Sequence, residues 1–483
     1  MKRVRGSLAL SAGLVALALV AVPMSLAGNA FSGTTSTSAG FHTWDTDMIN
    51  VESVSQNGTG VYVAVLDTGL VSNWADYFPK ARIATALGIG FHQSVKFNSS
   101  PDDPCRLDAA EGALQTGSFI GSTSSSHGTH VTSTIIGFNY RSNTDLAQGY
   151  GLPAIQVRGV APMATIIPVK VLDDYQLPKM PKCTDPDVEQ GATVTFGTDA
   201  MVAAGINYVT QLKLGKLAGS PVVINMSLGG SELTQEERDA IDAAVAAGVI
   251  IVAAAGNEGT DGMGYPGAYA PVISAGSVGW TDEWLDHPGD QNTLTTPAVG
   301  IRYRMFWLQN VYGNGTGSSG TLAPPLKAAS GNVPDPTVVG DVYVSDFSSR
   351  SLNDVQDLDV LAPGSWVRGP FGGDPGYNHL PWWSKGLGDL FGHNSGNFYY
   401  VGGTSMASPH IAGVVALMLQ KDGGLTAPEV EAILEGTALA IPAGSAQVWD
   451  PFLTTPAWDT LTWGTDATGA GLVQADAAIA AIP

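Results

Sequence analysis

A chain of 483 residues, 44% hydrophobic and only 13% charged, is long enough to bury one large core or several smaller ones and too apolar for a disordered polypeptide. Its 43 acidic and 22 basic residues give a formal charge of −21, which excludes nucleic acid as a partner. The 60 glycines and 29 prolines require many turns and long irregular connections.

At the N-terminus, Lys2, Arg3 and Arg5 precede an apolar run from Leu8 to Val22, and the small residues beyond Pro23 offer cleavage after Ala27 or Ala30. This is the arrangement of an export signal over residues 1–27. An uncleaved membrane anchor is the alternative, disfavoured because the run is shorter than the ~20 residues of a spanning helix. A secreted protein without stable membrane insertion follows. The only two cysteines, Cys105 and Cys183, then pair as a disulfide in an oxidising compartment. Two cysteines alone cannot form a zinc site, and no CxxC or HExxH pattern is present.

Residues 28–43 read as a small polar linker and 44–483 as one domain with insertions. The first strand is Gly60 to Leu66, ending in Asp67-Thr68-Gly69. A continuous apolar strand with an acid at its carboxyl end is the pattern of a parallel sheet covered on both faces, where ligands bind beyond the strand ends. Residues 92–122 form an irregular insertion carrying Cys105, and Ser126-His127-Gly128-Thr129-His130-Val131 opens a helix. His127 and His130 lack a third metal ligand nearby, and His130 reads as structural.

A loop at 138–158 leads to the strand Thr165 to Leu172, and a Pro/Asp-rich excursion at 173–190 holds Cys183. Helical character over 198–218 precedes the strand Val222 to Leu228, which runs into Gly229-Gly230. A helix from Thr234 to Ala247, with Thr234 and Glu237 as a capping box, leads to the strand Val249 to Ala255 and the turn Gly256-Asn257-Glu258-Gly259. This spacing is a parallel βαβ unit, and Val272 to Val278 is one further strand.

Two aromatic-rich insertions follow. Residues 279–345, with Trp280, Trp284, Tyr303, Phe306, Trp307 and Tyr312, read as a loop-rich or hairpin subdomain. Residues 370–398 carry Trp382, Trp383, Phe391 and Phe398. Beyond them, Gly402 to Gln420 places Ser405 at a tight turn opening a buried helix, with Pro409 in its first turn. The hydroxyl sits there beside unpaired N–H groups and the positive end of a helix, which suits either a nucleophile or an N-cap.

Asp67, His127 and Ser405 together decide for the nucleophile, since carboxylate, imidazole and serine are what acyl transfer from a neutral hydroxyl requires. Their contexts, VAVLDTGL, SHGTHV and GGTSMASPH in that order, closely resemble the signature segments of the subtilisin-like serine proteases, the subtilase family. NMSLGG, AAAGNEG, GYPGAY, GVAP, VKVL, DVLAPG and GAGLVQADAA extend the resemblance from about Trp44 to the C-terminus. It implies an α/β fold: a three-layer, mainly parallel twisted β-sheet with helices on both faces and loop-rich insertions.

The implied activity is that of a secreted serine endopeptidase acting on proteins or peptides through an acyl-enzyme. His127 deprotonates Ser405, while Asn257 and the Ser405 N–H hold the oxyanion with help from Thr404. Extended substrate pairs beside Ser227, Leu228 and Gly229. A P1 slot between these residues and Ala254, Ala255 and Gly256, with Gly264 at its base, favours large apolar side chains. No cofactor is implied for catalysis. Structural Ca2+ is implied at Asp76, nine residues after Asp67, although the 138–158 insertion rebuilds the loop that supplies the other ligands. The short segment between the signal and Asp67 leaves no room for the family's inhibitory propeptide. Either the chain folds unaided, or a separate folding helper or inhibitor does that work.

Overall fold

The computed structural model describes residues 36–37, 40–100, 103, 105–121, 125–139, 156–184, 190–281, 284–285, 303–304, 339–352, 356–371, 398–450 and 457–483. The export signal, most of the 138–158 loop, and Phe306, Trp307, Tyr312, Trp382, Trp383 and Phe391 lie outside these residues.

Nine described strands form the central sheet: β1 (Tyr62–Asp67), β2 (Ile89–His92), β3 (Gln115–Gly117), β4 (Thr165–Lys170), β5 (Val222–Met226), β6 (Val249–Ala254), β7 (Ile273–Trp280), β8 (Val342–Val344) and β9 (Val360–Pro363). Their order is β8-β7-β6-β5-β1-β4-β2-β3, with β9 also pairing with β7. The six pairs from β9 through β7, β6, β5, β1 and β4 to β2 are parallel, and only β3 and β8 run antiparallel to their neighbours.

The described α-helices are α1 (Trp44–Met48), α2 (Ser126–Ile136), α3 (Asp199–Leu214), α4 (Gln235–Ala246), α5 (Thr404–Lys421), α6 (Ala427–Thr437) and α7 (Ala475–Ala481). Alternation along the strands divides the core in two. Val63 and Val65 of β1, Val223 of β5 and Ile250 and Val252 of β6 face the cluster that includes α2 and α5. Ala64 and Leu66, Ile224 and Met226, and Ile251 and Ala253 face α3 and α4 on the other side. The result is the expected three-layer α/β sandwich.

Several elements depart from the sequence expectation. Residues 92–122 are not irregular: Val95–Ser99 and Leu107–Glu111 form an antiparallel hairpin, and Gln115–Gly117 joins the sheet edge as β3. The excursion at 173–190 is framed by a second hairpin, Asp173–Gln176 with Thr193–Phe196. Cys105 and Cys183 are joined in a disulfide near these two hairpins, which also share contacts among Phe97, Tyr175 and Phe196. Trp280 belongs to β7 rather than to the insertion after it, and it is buried.

Candidate active site

β1 delivers Asp67 to the carboxyl end of the sheet, in register with Lys170 of β4, and buries it completely. Asp67 Oδ1 accepts from the Thr68 N–H at 2.6 Å and lies 2.8 Å from His127 Nδ1. A carboxylate can only accept, so Nδ1 carries a proton and Nε2 is left as the basic nitrogen of a neutral ring. His127 is the second residue of α2, and its side chain is 27% exposed. The close approach of helix and strand explains Gly128: a Cβ there would stand 2.4 Å from the Gly69 carbonyl and 3.0 Å from Asp67 Oδ1. Burial alone would push the His127 imidazole down, but the charge and hydrogen bond of Asp67 outweigh it and raise its pKa above the ordinary 6.5.

Ser405 is the second residue of α5, reached through Gly403 at φ +154°, a conformation other residues rarely adopt. Its backbone N–H is one of the first-turn donors that no intrahelical carbonyl can satisfy. Among the described residues, the one hydrogen bond found for its hydroxyl is to the Ser227 carbonyl at 3.3 Å. Asp67, His127 and Ser405 thus all lie at the carboxyl end of the sheet, with the serine hydroxyl turned toward the segment after β5.

Asn257, in the turn after β6, receives the Thr404 N–H at 2.9 Å on Oδ1, and the Thr404 hydroxyl lies 3.0 Å from the same oxygen. A backbone N–H can only donate, so this contact fixes which end of the amide is oxygen. The Thr404 hydroxyl lies 3.0 Å from both Asn257 Oδ1 and the Gly256 carbonyl, either of which can take its single proton, so Thr404 packs against the oxygen end of the Asn257 amide.

Two cavities flank the segment after β5. One of about 480 Å³ brings Leu228, Gly229, Ala254, Gly256 and Gly264, five of the residues expected at a P1 slot, together with Ser405. Two expected residues are not there. Ala255 is fully buried, with its N–H on the Ala275 carbonyl and its own carbonyl taking the Gly264 N–H. Ser227 lines the other cavity, of about 470 Å³, beside His127, Phe196 and Glu237. Glu258, Asp261, Met263 and Gln356 also line the first slot, so it is less neutral than the sequence suggested. In the second cavity Glu237 is held protonated up to about 7, by burial first and then by the charge of Asp199.

The loop expected to complete a calcium site at Asp76 lies mostly outside the described residues. Asp76 itself ends an exposed turn, 3.3 Å from the Asn73 amide, and belongs to no group of three or more acidic, histidine or cysteine side chains among the described residues. Among the described residues, Asp357, Asp359 and Glu435 bring carboxylate oxygens within 4.8 Å of one another, the donor type a hard cation takes.

Pro409 corrects a further expectation. It is the sixth residue of α5, not part of the first turn, so it removes the N–H that would bond the Ser405 carbonyl. Sequence reading also missed Asn225 and Ser408, which are buried polar residues inside quoted segments but carry no pattern of their own.

Residues 58–472 match the family model described as the Subtilase family. The chain belongs to the subtilase family. This subtilase is 24% identical to subtilisin DY of Bacillus licheniformis over 392 residues, covering 80% of this chain and 87% of that protein. It is 27% identical to subtilisin E of Bacillus subtilis (strain 168) over 284 residues, 58% of this chain and 56% of the relative, and so spans little more than half of that protein. The intracellular serine protease of Paenibacillus polymyxa shares 32% identity over 261 residues, 53% of this chain and 61% of that one. Among solved structures, sphericase aligns with 89% of this chain and 97% of its own at 21% identity and a TM-score of 0.49. Membership makes the chain a serine-type endopeptidase, a hydrolase of peptide bonds.

Proposed function

We propose that this subtilase is an exported endopeptidase in which Asp67, His127 and Ser405 form the catalytic triad. The observation that carries the assignment is the 2.8 Å contact between Asp67 Oδ1 and His127 Nδ1, at the strand ends where α5 presents Ser405. That contact frees Nε2 to take the serine proton as Oγ attacks a peptide carbonyl, and the imidazolium that forms is stabilised by a fully buried carboxylate. The Ser405 N–H and Asn257 Nδ2 receive the oxyanion, Thr404 holding Asn257 in that orientation. His127 returns the proton to the leaving amine, and water then releases the acyl group by the same route.

Substrate adds as an extended strand along Ser227, Leu228 and Gly229, with P1 in the slot floored by Gly264. Export is supported by the Lys2–Val22 pattern and by the disulfide, a bond of oxidising compartments. Structural calcium, if the chain takes it, would be held by Asp357, Asp359 and Glu435, whose carboxylate oxygens lie within 4.8 Å of one another, and would take no part in the reaction.

The test is labelling with a serine-directed fluorophosphonate together with hydrolysis of a peptide library. The wild-type protein is expected to be labelled on Ser405 and to cleave peptides. Labelling that persists in Ser405→Ala would overturn the assignment.

A further inference from the structure

Pro409 leaves the carbonyl of Ser405 without the helix hydrogen bond that a residue four places on normally supplies. A buried carbonyl left bare is costly, and here another donor takes the place: Ser227 Oγ donates to the Ser405 carbonyl at 2.7 Å. The Ser227 hydroxyl is itself directed. It accepts from Asn225 Nδ2 at 3.1 Å, which leaves its single proton for Ser405. Asn225 is oriented in turn by Ser408, whose hydroxyl donates to Asn225 Oδ1 at 2.6 Å. Were the amide reversed, its oxygen would draw the Ser227 proton and the Ser405 carbonyl would lose its donor. Asn225 and Ser408 are fully buried and Ser227 is 3% exposed, so the two bonds that orient the Ser227 hydroxyl are shielded from bulk water.

The relay begins and ends on α5 and passes through β5, whose neighbours β1 and β6 flank it in the middle of the sheet. Ser405 also donates its own hydroxyl to the Ser227 carbonyl, so the two serines bracket each other.

We propose that Ser408, Asn225 and Ser227 form a positioning relay that replaces the hydrogen bond lost at Pro409 and fixes the backbone of Ser405 against the substrate-pairing strand. The proposal rests on the reading of Ser405 as the nucleophile. None of the three side chains touches the reacting atoms. Their effect is on where the Ser405 hydroxyl and N–H stand relative to His127 and Asn257, and a misplacement of that kind lowers the chemical step more than binding.

The experiment compares wild type, Ser227→Ala, Asn225→Asp, Pro409→Ala and the double variant Ser227→Ala/Pro409→Ala. Each is titrated for active sites with a fluorophosphonate, then assayed for kcat and KM on one extended peptide and for melting temperature. Ser227→Ala is expected to lower kcat and the labelling rate by about tenfold, while KM shifts by less than ~2-fold because the pairing backbone is intact. Asn225→Asp, which keeps the acceptor for Ser408 and loses the donor to Ser227, gives a similar loss. Pro409→Ala returns an N–H to the helix, so the double variant is faster than Ser227→Ala alone.

Wild-type kcat per titrated site in Ser227→Ala, or in Asn225→Asp should Ser227→Ala fail to fold, would overturn the relay. So would full additivity of the Ser227→Ala and Pro409→Ala effects. A wild-type protein that is not labelled on Ser405 would instead sink the reading of the nucleophile.

Discussion

Thr404 grips the side-chain oxygen of Asn257 from two directions, its N–H at 2.9 Å and its hydroxyl at 3.0 Å. No hydrogen bond to Asn257 Nδ2 is found among the described residues, so the donor end of the amide is available to a developing oxyanion.

Asn257→Ala is expected to lower kcat by about 10²–10³ with little change in KM, a magnitude measured on subtilisin and carried over to this chain. Thr404→Val keeps the backbone donor and loses the hydroxyl, so its loss is smaller, about tenfold. Steady-state kinetics on one peptide decides the order. A Thr404→Val enzyme slower than Asn257→Ala would mean that Thr404 meets the substrate itself.

The pH profile follows from His127. Asp67 stabilises the imidazolium, so the folded pKa stands above 6.5, and the neutral base is regained only as pH rises through that higher value. The acid limb of kcat/KM is therefore expected to have its midpoint above pH 6.5. Asp67→Asn removes the charge and lowers kcat by about 10⁴. An optimum below pH 5 would point to a carboxylate base and exclude the triad.

For P1, a slot of about 480 Å³ with Gly264 in its lining accepts a large ring, whose burial contributes up to ~3 kcal/mol. Phe, Tyr, Leu and Met are expected well above Ala. Glu258 and Asp261 line the slot, so Asp and Glu are expected lowest, with Lys and Arg between them and the apolar residues. A P1-varied peptide series measures this, and Asp or Glu at or above Phe would show that the slot is built from other residues. Gly264→Val, whose Cβ would meet the Gly230 carbonyl at 3.3 Å, should penalise Phe more than Ala.

The acidic group at Asp357, Asp359 and Glu435 predicts a pH-dependent response to calcium. Burial, reinforced by the charges of Glu431 and Asp357 and opposed by the Ser274 hydrogen bonds, pushes the Asp359 carboxyl up to about 7. A carboxyl that stays protonated in the fold but ionises near 3.8 when unfolded costs stability as pH rises from about 4 to 7. Scanning calorimetry on a Ser405→Ala background, which cannot digest itself, reads the effect. In chelator, stability should drop across that window. Millimolar calcium should raise the melting temperature by several degrees at pH 8 and little at pH 5. Asp359→Asn should abolish the calcium effect, and equal melting temperatures with calcium and chelator at pH 8 would remove the cation from this group.

Much of the site was legible because its parts are local. Asp67 closes an apolar strand, His127 opens a helix after a serine, and Ser405 follows two glycines; each depends on neighbours in sequence, and the segment resemblance set their order. The parallel sheet was legible for the same reason, since fully apolar runs such as Val249–Ala254 can only be buried on both faces.

The rest was decided by contacts between residues far apart in the chain. Nothing in GTSMASPH shows that the carbonyl left bare by Pro409 is met by Ser227, 178 residues earlier, or that Ser408 orients Asn225 across 183 residues. The same holds for Ala255, which packs into the core while Asp261 lines the slot, and for Asp359 meeting Glu435. Sequence pattern reports how each segment satisfies itself. Only the tertiary structure shows which buried donor satisfies which acceptor, because that pairing is set by the packing of α5 against β5.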